Sequence, residues 1–186
     1  WLWFWLKEDK ERPEPRGLII TTFLIGMASV MLVLPLEEMA RKFISDGPVL
    51  TIVWAAIEEV IKLFVVAIIA FRTAYVDEPV DFAIYLISGA LGFAALENAL
   101  FLMHPLQLNE TTVSLLTGNL RFLGATLLHA VASGFIGIFM GLAFFKGKST
   151  KSIYLVIGVL TAIVLHSLFN FFIIGNNGEN FFAVFG

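Results

Sequence analysis

Long apolar segments alternate with short polar ones along the chain. A helix needs about 20 apolar residues to cross a hydrocarbon layer of about 30 Å, and five segments reach that length. They run from Gly17 to Leu36, Val49 to Phe71, Val80 to Met103, Arg121 to Phe145 and Ile153 to Ile174. The stretches between them, such as Glu37 to Pro48, are typical of helix ends and loops. The pattern predicts an all-α fold: a polytopic transmembrane helical bundle with five complete spanning helices, forming a single integral-membrane domain over residues 1–186.

The first residues suggest a further helix. The chain begins with Trp-Leu-Trp-Phe-Trp-Leu and lacks a starting Met, and a charged stretch from Lys7 to Arg16 follows. Aromatic residues are enriched where helices leave the membrane. We therefore expect the end of a truncated spanning helix here, with an amphipathic segment lying on the membrane as the alternative.

Composition predicts whether the folded chain is surrounded by water or by lipid. Apolar residues make up 59% and charged residues 15%, whereas soluble domains carry about 25% charged residues. Twelve Lys and Arg against fifteen Asp and Glu leave a net charge of −3, which excludes nucleic acid as a partner. The chain has no Cys, so disulfides, thiolate nucleophiles and Cys-ligated metals are excluded as well. These numbers predict a protein whose surroundings are the lipid bilayer.

The basic residues predict the orientation of the bundle, because cytoplasmic loops retain Lys and Arg. Three of them, Arg41, Lys42 and Arg121, fall on one side, and Lys62 lies within a span. The other side holds eight: Lys7, Lys10, Arg12, Arg16, Arg72, Lys146, Lys148 and Lys151. The side with eight is therefore predicted to be cytoplasmic.

Ionisable side chains within the spans are the candidates for chemistry, because each costs about 2.5–3.5 kcal/mol near the bilayer centre. The chain carries six of them, together with Asn98 and Asn170: Glu58, Glu59, Lys62, Glu97, His129 and His166. Glu58, Glu97, His129 and His166 lie on four different helices, each six to nine residues from the outer helix end. This corresponds to about 9–14 Å below the outer surface. A common depth on antiparallel helices predicts one shared site nearer the extracytoplasmic side.

Spacing within the helices assigns the first roles. Lys62 is i+4 from Glu58 and i+3 from Glu59, so it neutralises one of the two carboxylates and leaves the other available as a general base. Asn170 is i+4 from His166 and shares its face. Two imidazoles with a carboxylate can bind Zn²⁺ and leave a position for water. The predicted ligands of the Zn²⁺ ion are Glu97, His129 and His166.

Several known hydrolytic mechanisms are excluded or disfavoured. No His-Glu-x-x-His motif occurs, and Asp46, Asp77 and Asp81 are expected in loops or at interfaces, which disfavours an aspartyl dyad. Ser133 lies four residues beyond His129. It is either a nucleophile or a residue of helix packing, and packing is the commoner role of Ser in membrane helices.

The ordered motifs resemble those of the PrsW family of intramembrane proteases. The resemblance covers about Trp1 to Ile174. It is carried by Glu58-Glu59-x-x-Lys62, Asp77-Glu78-Pro79-Val80-Asp81, Phe93-x-x-x-Glu97-Asn98, Arg121 with His129, and His166-x-x-x-Asn170. The wider group of CAAX prenyl endopeptidases and bacteriocin-processing proteases has His where this chain has Glu97. His129, which the wider pattern does not share, is a candidate to take over that imidazole's role.

The resemblance implies an activity and the residues that perform it. Glu58 and Glu59 would supply the carboxylate that activates water, and His166 with Asn170 would polarise the scissile carbonyl or bind its oxyanion. Glu97 and His129 would complete the catalytic set, with Lys62 and Asn98 in support. The family is classed as metallopeptidase, whereas a metal-free glutamate mechanism is argued for its relatives, and the sequence is compatible with both.

The resemblance also implies a biological setting. The substrate would be a single-pass membrane protein, such as an anti-sigma factor, cut at site 1 near its extracytoplasmic side in a prokaryotic cell membrane. Two alternatives stay open. Carboxylates and His at membrane depth also build ion or proton transporters, although no internal repeat is evident, and an inactive receptor could share the fold.

Overall fold

In a computed structural model of the chain, residues 2, 12–107 and 111–177 are described, with the backbone alone for 104–107, 111–122 and 172–177. These ranges contain five α-helices and no strand. The helices are α1 (Arg16–Phe43), α2 (Pro48–Ile69), α3 (Asp81–Gln107), α4 (Thr111–Leu142) and α5 (Lys148–Asn177). The predicted all-α class is confirmed. The expected truncated helix falls on residues 1 and 3–11, outside the described residues.

The helices extend beyond the apolar segments that predicted them. α1 continues past Pro35 and Leu36 to Phe43, and α4 begins at Thr111, ten residues before the predicted start. Hydropathy marks the part of a helix in contact with lipid, whereas the hydrogen-bonded backbone continues as long as the next residues favour it. Gly47, at φ 150°, precedes Pro48 in the first turn of α2. Only Gly adopts this φ readily, and Pro is favoured in a first turn.

Four of the helices qualify as membrane spans by length and composition, within the described residues. They are α1, Asp81–Met103 of α3, Leu123–Leu142 of α4 and Lys148–Phe171 of α5. This is one fewer than the sequence predicted. α2 differs because Glu58, Glu59 and Lys62 lie in its middle, and all three side chains are buried. The remaining surface of α2 is apolar and includes exposed Val60, Phe64 and Ile68.

The five helices form a ring in the order α1, α3, α4, α5 and α2, and α2 also reaches across it to α3 and α4. α3 packs between α1 and α4, α5 packs against α4 and α2, and α2 contacts all four other helices. Glycine allows the close approach of α3 to its neighbours: a Cβ at Gly92 would overlap the carbonyl of Phe23 on α1, and one at Gly137 would meet the backbone of Ala83. Every other helix can therefore place a side chain near the charged face of α2.

An apolar core fills the bundle on one side of that charged face. It consists of Val65, Val66, Ala70, Tyr85, Leu86, Ala132, Ile136 and Ala162. Val66 lies one turn beyond Lys62 on α2, and Ala162 one turn before His166 on α5. The charged groups are therefore displaced toward the predicted outer end of the bundle, above a packed apolar layer that leaves water little space.

Candidate active site

The charged face of α2 is the centre of a buried polar cluster, which we define as Glu58, Glu59, Lys62, Glu97, His129 and His166. Glu59 and Lys62 are 0% and 1% exposed. The ammonium Nζ of Lys62 donates to Oε1 of Glu59 at 2.6 Å. Lys62 is therefore paired with Glu59, as the spacing predicted for one of the two carboxylates.

Glu59 accepts hydrogen bonds from three helices. Its Oε1 also accepts from Nδ1 of His166 on α5 at 2.8 Å, and its Oε2 accepts from the hydroxyl of Ser133 on α4 at 3.1 Å. A carboxylate held by an ammonium, an imidazole and a hydroxyl has its charge balanced and its orientation fixed. Glu59 thus connects α2, α4 and α5.

His129 lies between a cation and a carboxylate. Its Nδ1 is 2.8 Å from Nζ of Lys62, and its Nε2 is 2.9 Å from Oε2 of Glu97. An ammonium can only donate, so Nδ1 accepts, and Nε2 then carries the hydrogen that it donates to Glu97. This network favours the neutral Nε2–H tautomer of His129. Phe93 covers the imidazole, with ring centroids 5.2 Å apart.

Glu58 has different surroundings from Glu59. Its Oε2 is buried, has no hydrogen-bond partner and lies 3.8 Å from both Nδ1 of His129 and Nε2 of His166. The two imidazoles are nearly perpendicular, with centroids 5.0 Å apart. A buried carboxylate oxygen normally finds a donor. This one instead faces the space between two rings.

The same three residues fit a divalent metal ion. One ligand atom each from Glu58, His129 and His166 lies within 4.8 Å of the others. His166 presents Nε2 because its Nδ1 is held by Glu59, an arrangement common for metal-bound imidazoles. The third donor, Nδ1 of His129, is shared with Lys62, so metal binding requires the ammonium to move away from that nitrogen. Glu97, a predicted ligand, instead bonds the opposite nitrogen of His129.

The cluster has a dry side and an open side. The side chain of Glu97 is 21% exposed, whereas those of Glu58, His129 and His166 are between 2% and 9% exposed. Opposite Glu97 lies the apolar core. Glu97 is therefore the most accessible of these four side chains.

Glu37 on α1 is a neighbour of the cluster that the hydropathy pattern placed in a loop. Its side chain is near those of Glu58 and Glu97. Its side chain is half-buried, whereas that of Glu38 is exposed. The spacing of the sequence could have indicated this position, because Glu37 continues the i, i+3, i+7 helix face that begins with the buried Val30 and Val33.

With this geometry established, comparison with known proteins identifies the family. Residues 14–186 match the family described as PrsW family intramembrane metalloprotease. The chain belongs to the PrsW family. It is an integral membrane protein and an intramembrane protease. Of the protease and transporter alternatives, the family therefore supports the protease.

Curated relatives named Protease PrsW cover most of the chain. The chain is 30% identical to the protein from Geobacillus kaustophilus over 178 residues, which cover 92% of this chain and 73% of the relative. The relatives from Halalkalibacterium halodurans and Bacillus subtilis are 27% and 25% identical, each covering 91% of this chain and 76% and 75% of their own. No solved structure matches significantly.

Two polar residues of the PrsW-like motifs lie apart from the cluster. Nδ2 of Asn98 donates to the hydroxyl of Thr126 at 3.2 Å, which links α3 to α4. Asn170 is partly buried one turn beyond His166, and within the described ranges no hydrogen bond joins it to the cluster. Of the predicted catalytic residues the structure thus brings together Glu58, Glu59, Glu97, His129 and His166, with Lys62 among them.

Proposed function

We propose that the polar cluster hydrolyses a peptide bond in a single-pass membrane protein and that Glu58 is the group that accepts the proton of the attacking water. The observation that carries the proposal is the contrast between two adjacent carboxylates. Glu59 accepts three hydrogen bonds, whereas Oε2 of Glu58 is buried, unpartnered and 3.8 Å from two imidazole nitrogens. A general base needs an oxygen that is free to bind water.

The atoms of the reaction balance with water as the only co-reactant. The oxygen of water forms a bond to the carbonyl carbon while its proton passes to Glu58, and the carbon–nitrogen bond then breaks. Glu58 returns the proton to the leaving amine, so that it ends the cycle as a carboxylate. This use of one carboxylate as base and then acid is a general pattern of hydrolases.

The other members of the cluster hold this arrangement in place. Glu59 fixes Lys62 and the ring of His166, and Glu97 fixes the tautomer of His129 through Nε2. The ammonium of Lys62 offsets the charge of Glu59 in a region of low dielectric. Groups held before the substrate binds need no reorganisation during the reaction.

The alternative is a metal mechanism, in which Glu58, His129 and His166 would hold a divalent cation, with zinc as the favoured ion, and Glu58 would be a ligand instead of the general base. The cation would lower the pKa of its bound water and polarise the scissile carbonyl. The family description as metalloprotease supports this. Elemental analysis of the purified protein tests it, together with activity after chelation. One bound equivalent, lost in His166→Ala along with activity, supports the metal, whereas activity in metal-free protein favours the glutamate mechanism.

The substrate proposal is an extracytoplasmic cut in a protein of the anti-sigma-factor type. The depth of the cluster on four helices and the excess of Lys and Arg on the opposite side support it. The substrate is itself expected to be a membrane protein, because an intramembrane protease acts on proteins within the bilayer.

The test uses purified full-length protein in liposomes with a single-pass substrate tagged at both ends. We expect one cut in the outer half of the substrate helix, located by mass spectrometry, and its loss in Glu58→Gln. Glu38→Gln is the matched control, because Glu38 is an exposed carboxylate on α1. Cleavage at the wild-type rate by Glu58→Gln would remove Glu58 from the mechanism, and a cut in the inner half would reverse the orientation.

A further inference from the structure

The predicted inner end of the bundle contains a cavity remote from the polar cluster. It lies between the start of α3, the end of α4 and the start of α5 and has a volume of about 160 Å³. Its wall includes four apolar side chains, those of Phe82, Met140, Phe144 and Leu155. An apolar cavity of about 150 Å³ takes up an apolar molecule the size of benzene. This cavity therefore has room for a short segment of a hydrocarbon chain.

The same cavity has a polar side. Lys151 and Ser152, both exposed and both near the start of α5, complete its wall. Nζ of Lys151 lies 5.6 Å from the centroid of the Phe144 ring, a cation–π distance that keeps the ammonium beside the apolar wall. A cavity with a hydrocarbon face and an ammonium at its rim is matched to a ligand that is apolar at one end and anionic at the other.

The basic residues at this rim lack a counter-charge within the described part of the chain. Lys146, Lys148 and Lys151 fall within six positions, and no acidic residue occurs between positions 111 and 178. No ion pair in the described ranges joins any of the three to a carboxylate. The exposed carboxylate of the nearby α2–α3 connection, Asp77, is 2.6 Å from Arg12 instead. An anion from outside the chain would supply the missing charge.

The cavity lies at the level of the lipid headgroups. The three spans that enclose it end here, at Asp81, Leu142 and Lys148. Phe145, next to the cavity wall, is 85% exposed, and aromatic side chains are enriched at membrane–water interfaces. The excess of Lys and Arg predicts that this side is cytoplasmic. Basic pockets between spanning helices on that side bind anionic lipid headgroups.

We propose that this cavity binds one anionic phospholipid, with the phosphate at Nζ of Lys151 and part of an acyl chain against Phe82 and Leu155. Lys148 precedes Lys151 by three residues on α5 and adds a second positive charge on the same side of the helix. A lipid bound here contacts α3, α4 and α5 together, so it stabilises the folded bundle by mass action. The site is independent of the proposed catalytic role of Glu58.

The first experiment is native mass spectrometry of the purified full-length protein, titrated with phosphatidylglycerol or with phosphatidylcholine of the same acyl chains. We expect one phosphatidylglycerol to bind about tenfold more tightly than phosphatidylcholine, which has no net charge. Lys151→Gln should weaken phosphatidylglycerol binding about fivefold, and Lys151→Arg should retain it. Lys42→Gln is the matched control, because Lys42 is an exposed ammonium at the opposite end of the bundle, and it should bind as the wild type does.

The second experiment locates the lipid. Phosphatidylglycerol with a photoactivatable group in its acyl chain should label the segment from Met140 to Leu155. Leu155→Trp should reduce this labelling because the larger side chain fills the cavity, and Lys151→Gln, at an exposed position, serves as the test if the Trp variant does not fold.

Several results would overturn the proposal. Equal affinity for the two lipids, wild-type affinity in Lys151→Gln, or an equal loss in Lys42→Gln would reduce the effect to general surface charge. Labelling spread evenly over all helices would mean ordinary contact with the surrounding lipid. Displacement of phosphatidylglycerol by millimolar inorganic phosphate would assign the site to a free anion instead of a lipid.

Discussion

Buried carboxylates occur at both ends of this bundle in different surroundings. At the predicted inner end, Glu14 accepts a hydrogen bond from the hydroxyl of Tyr85, and Oδ2 of Asp81 accepts the backbone N–H groups of Asp77 and Glu78 at 2.9 and 2.6 Å. Glu14 is 6% exposed and Asp81 is 0% exposed. These contacts tie the segment before α1 and the α2–α3 connection to the first turns of α3.

The polar cluster near the outer end brings its groups from four helices instead. Carboxylates of α2 and α3 meet imidazoles of α4 and α5, and one buried oxygen, Oε2 of Glu58, has no partner. Burial is common to both regions, so burial alone does not identify a catalytic carboxylate. What distinguishes the outer region is the convergence of carboxylates, imidazoles and an ammonium from four helices.

The largest expected contrast is between Glu58 and Asp81. Glu58→Gln should reduce cleavage about 10²–10⁴-fold, the range for loss of a general base, and should leave the free energy of unfolding within about 1 kcal/mol because it removes no described hydrogen bond from Oε2. Asp81→Ala should lower that free energy by about 1–3 kcal/mol through loss of two N–H contacts. Its activity per folded molecule should stay near wild type.

Activity and denaturant unfolding, measured on the same detergent-solubilised samples, check both halves of this contrast. A large loss of activity per folded molecule in Asp81→Ala would mean that the inner carboxylates also take part in the reaction. The distinction between the two regions would then fail.

The second prediction concerns the charge balance inside the cluster. Glu59→Gln leaves the ammonium of Lys62, 1% exposed, without its carboxylate partner, and breaking a buried ion pair costs about 3–5 kcal/mol. We expect a marked fall in thermal stability together with loss of activity. The double variant Glu59→Gln, Lys62→Met removes both charges and should recover most of the stability but none of the activity. A double variant as unstable as the single one would show that the pair is not coupled.

Helix number and the common depth of the polar groups follow from the sequence because hydropathy and the 3.6-residue period are local properties. Glu58, Glu97, His129 and His166 could be assigned to one site in this way. Local spacing does not determine which carboxylate pairs with Lys62, because Glu58 and Glu59 are both within one turn of it. Lys62 pairs with Glu59, and that carboxylate is oriented by Ser133 and His166 on other helices. Glu37 was missed for a related reason, since the end of an apolar segment does not mark the end of a helix.

A smaller effect is expected at Tyr85 in the inner region. Tyr85 is fully buried, and its hydroxyl donates to Glu14. Tyr85→Phe removes this donor and should lower the free energy of unfolding by about 1–3 kcal/mol, because a buried carboxylate loses a hydrogen bond. Cleavage by the folded protein should be unchanged at saturating substrate. A fall in kcat without a fall in stability would connect the inner region to the reaction.

The smallest effect separates two buried serines near the cluster. Ser133 is 0% exposed and donates to Oε2 of Glu59 at 3.1 Å, whereas Ser167 is 5% exposed and its hydroxyl has no hydrogen-bond partner. Ser133→Ala should lower stability by about 1 kcal/mol and kcat by up to about tenfold, because Glu59 keeps its bonds to Lys62 and His166. Ser167→Ala, the matched control, should be neutral or slightly stabilising, since it removes an unsatisfied polar group. Complete loss of cleavage in Ser133→Ala would instead support Ser133 as a nucleophile and would transfer the central role from Glu58 to α4.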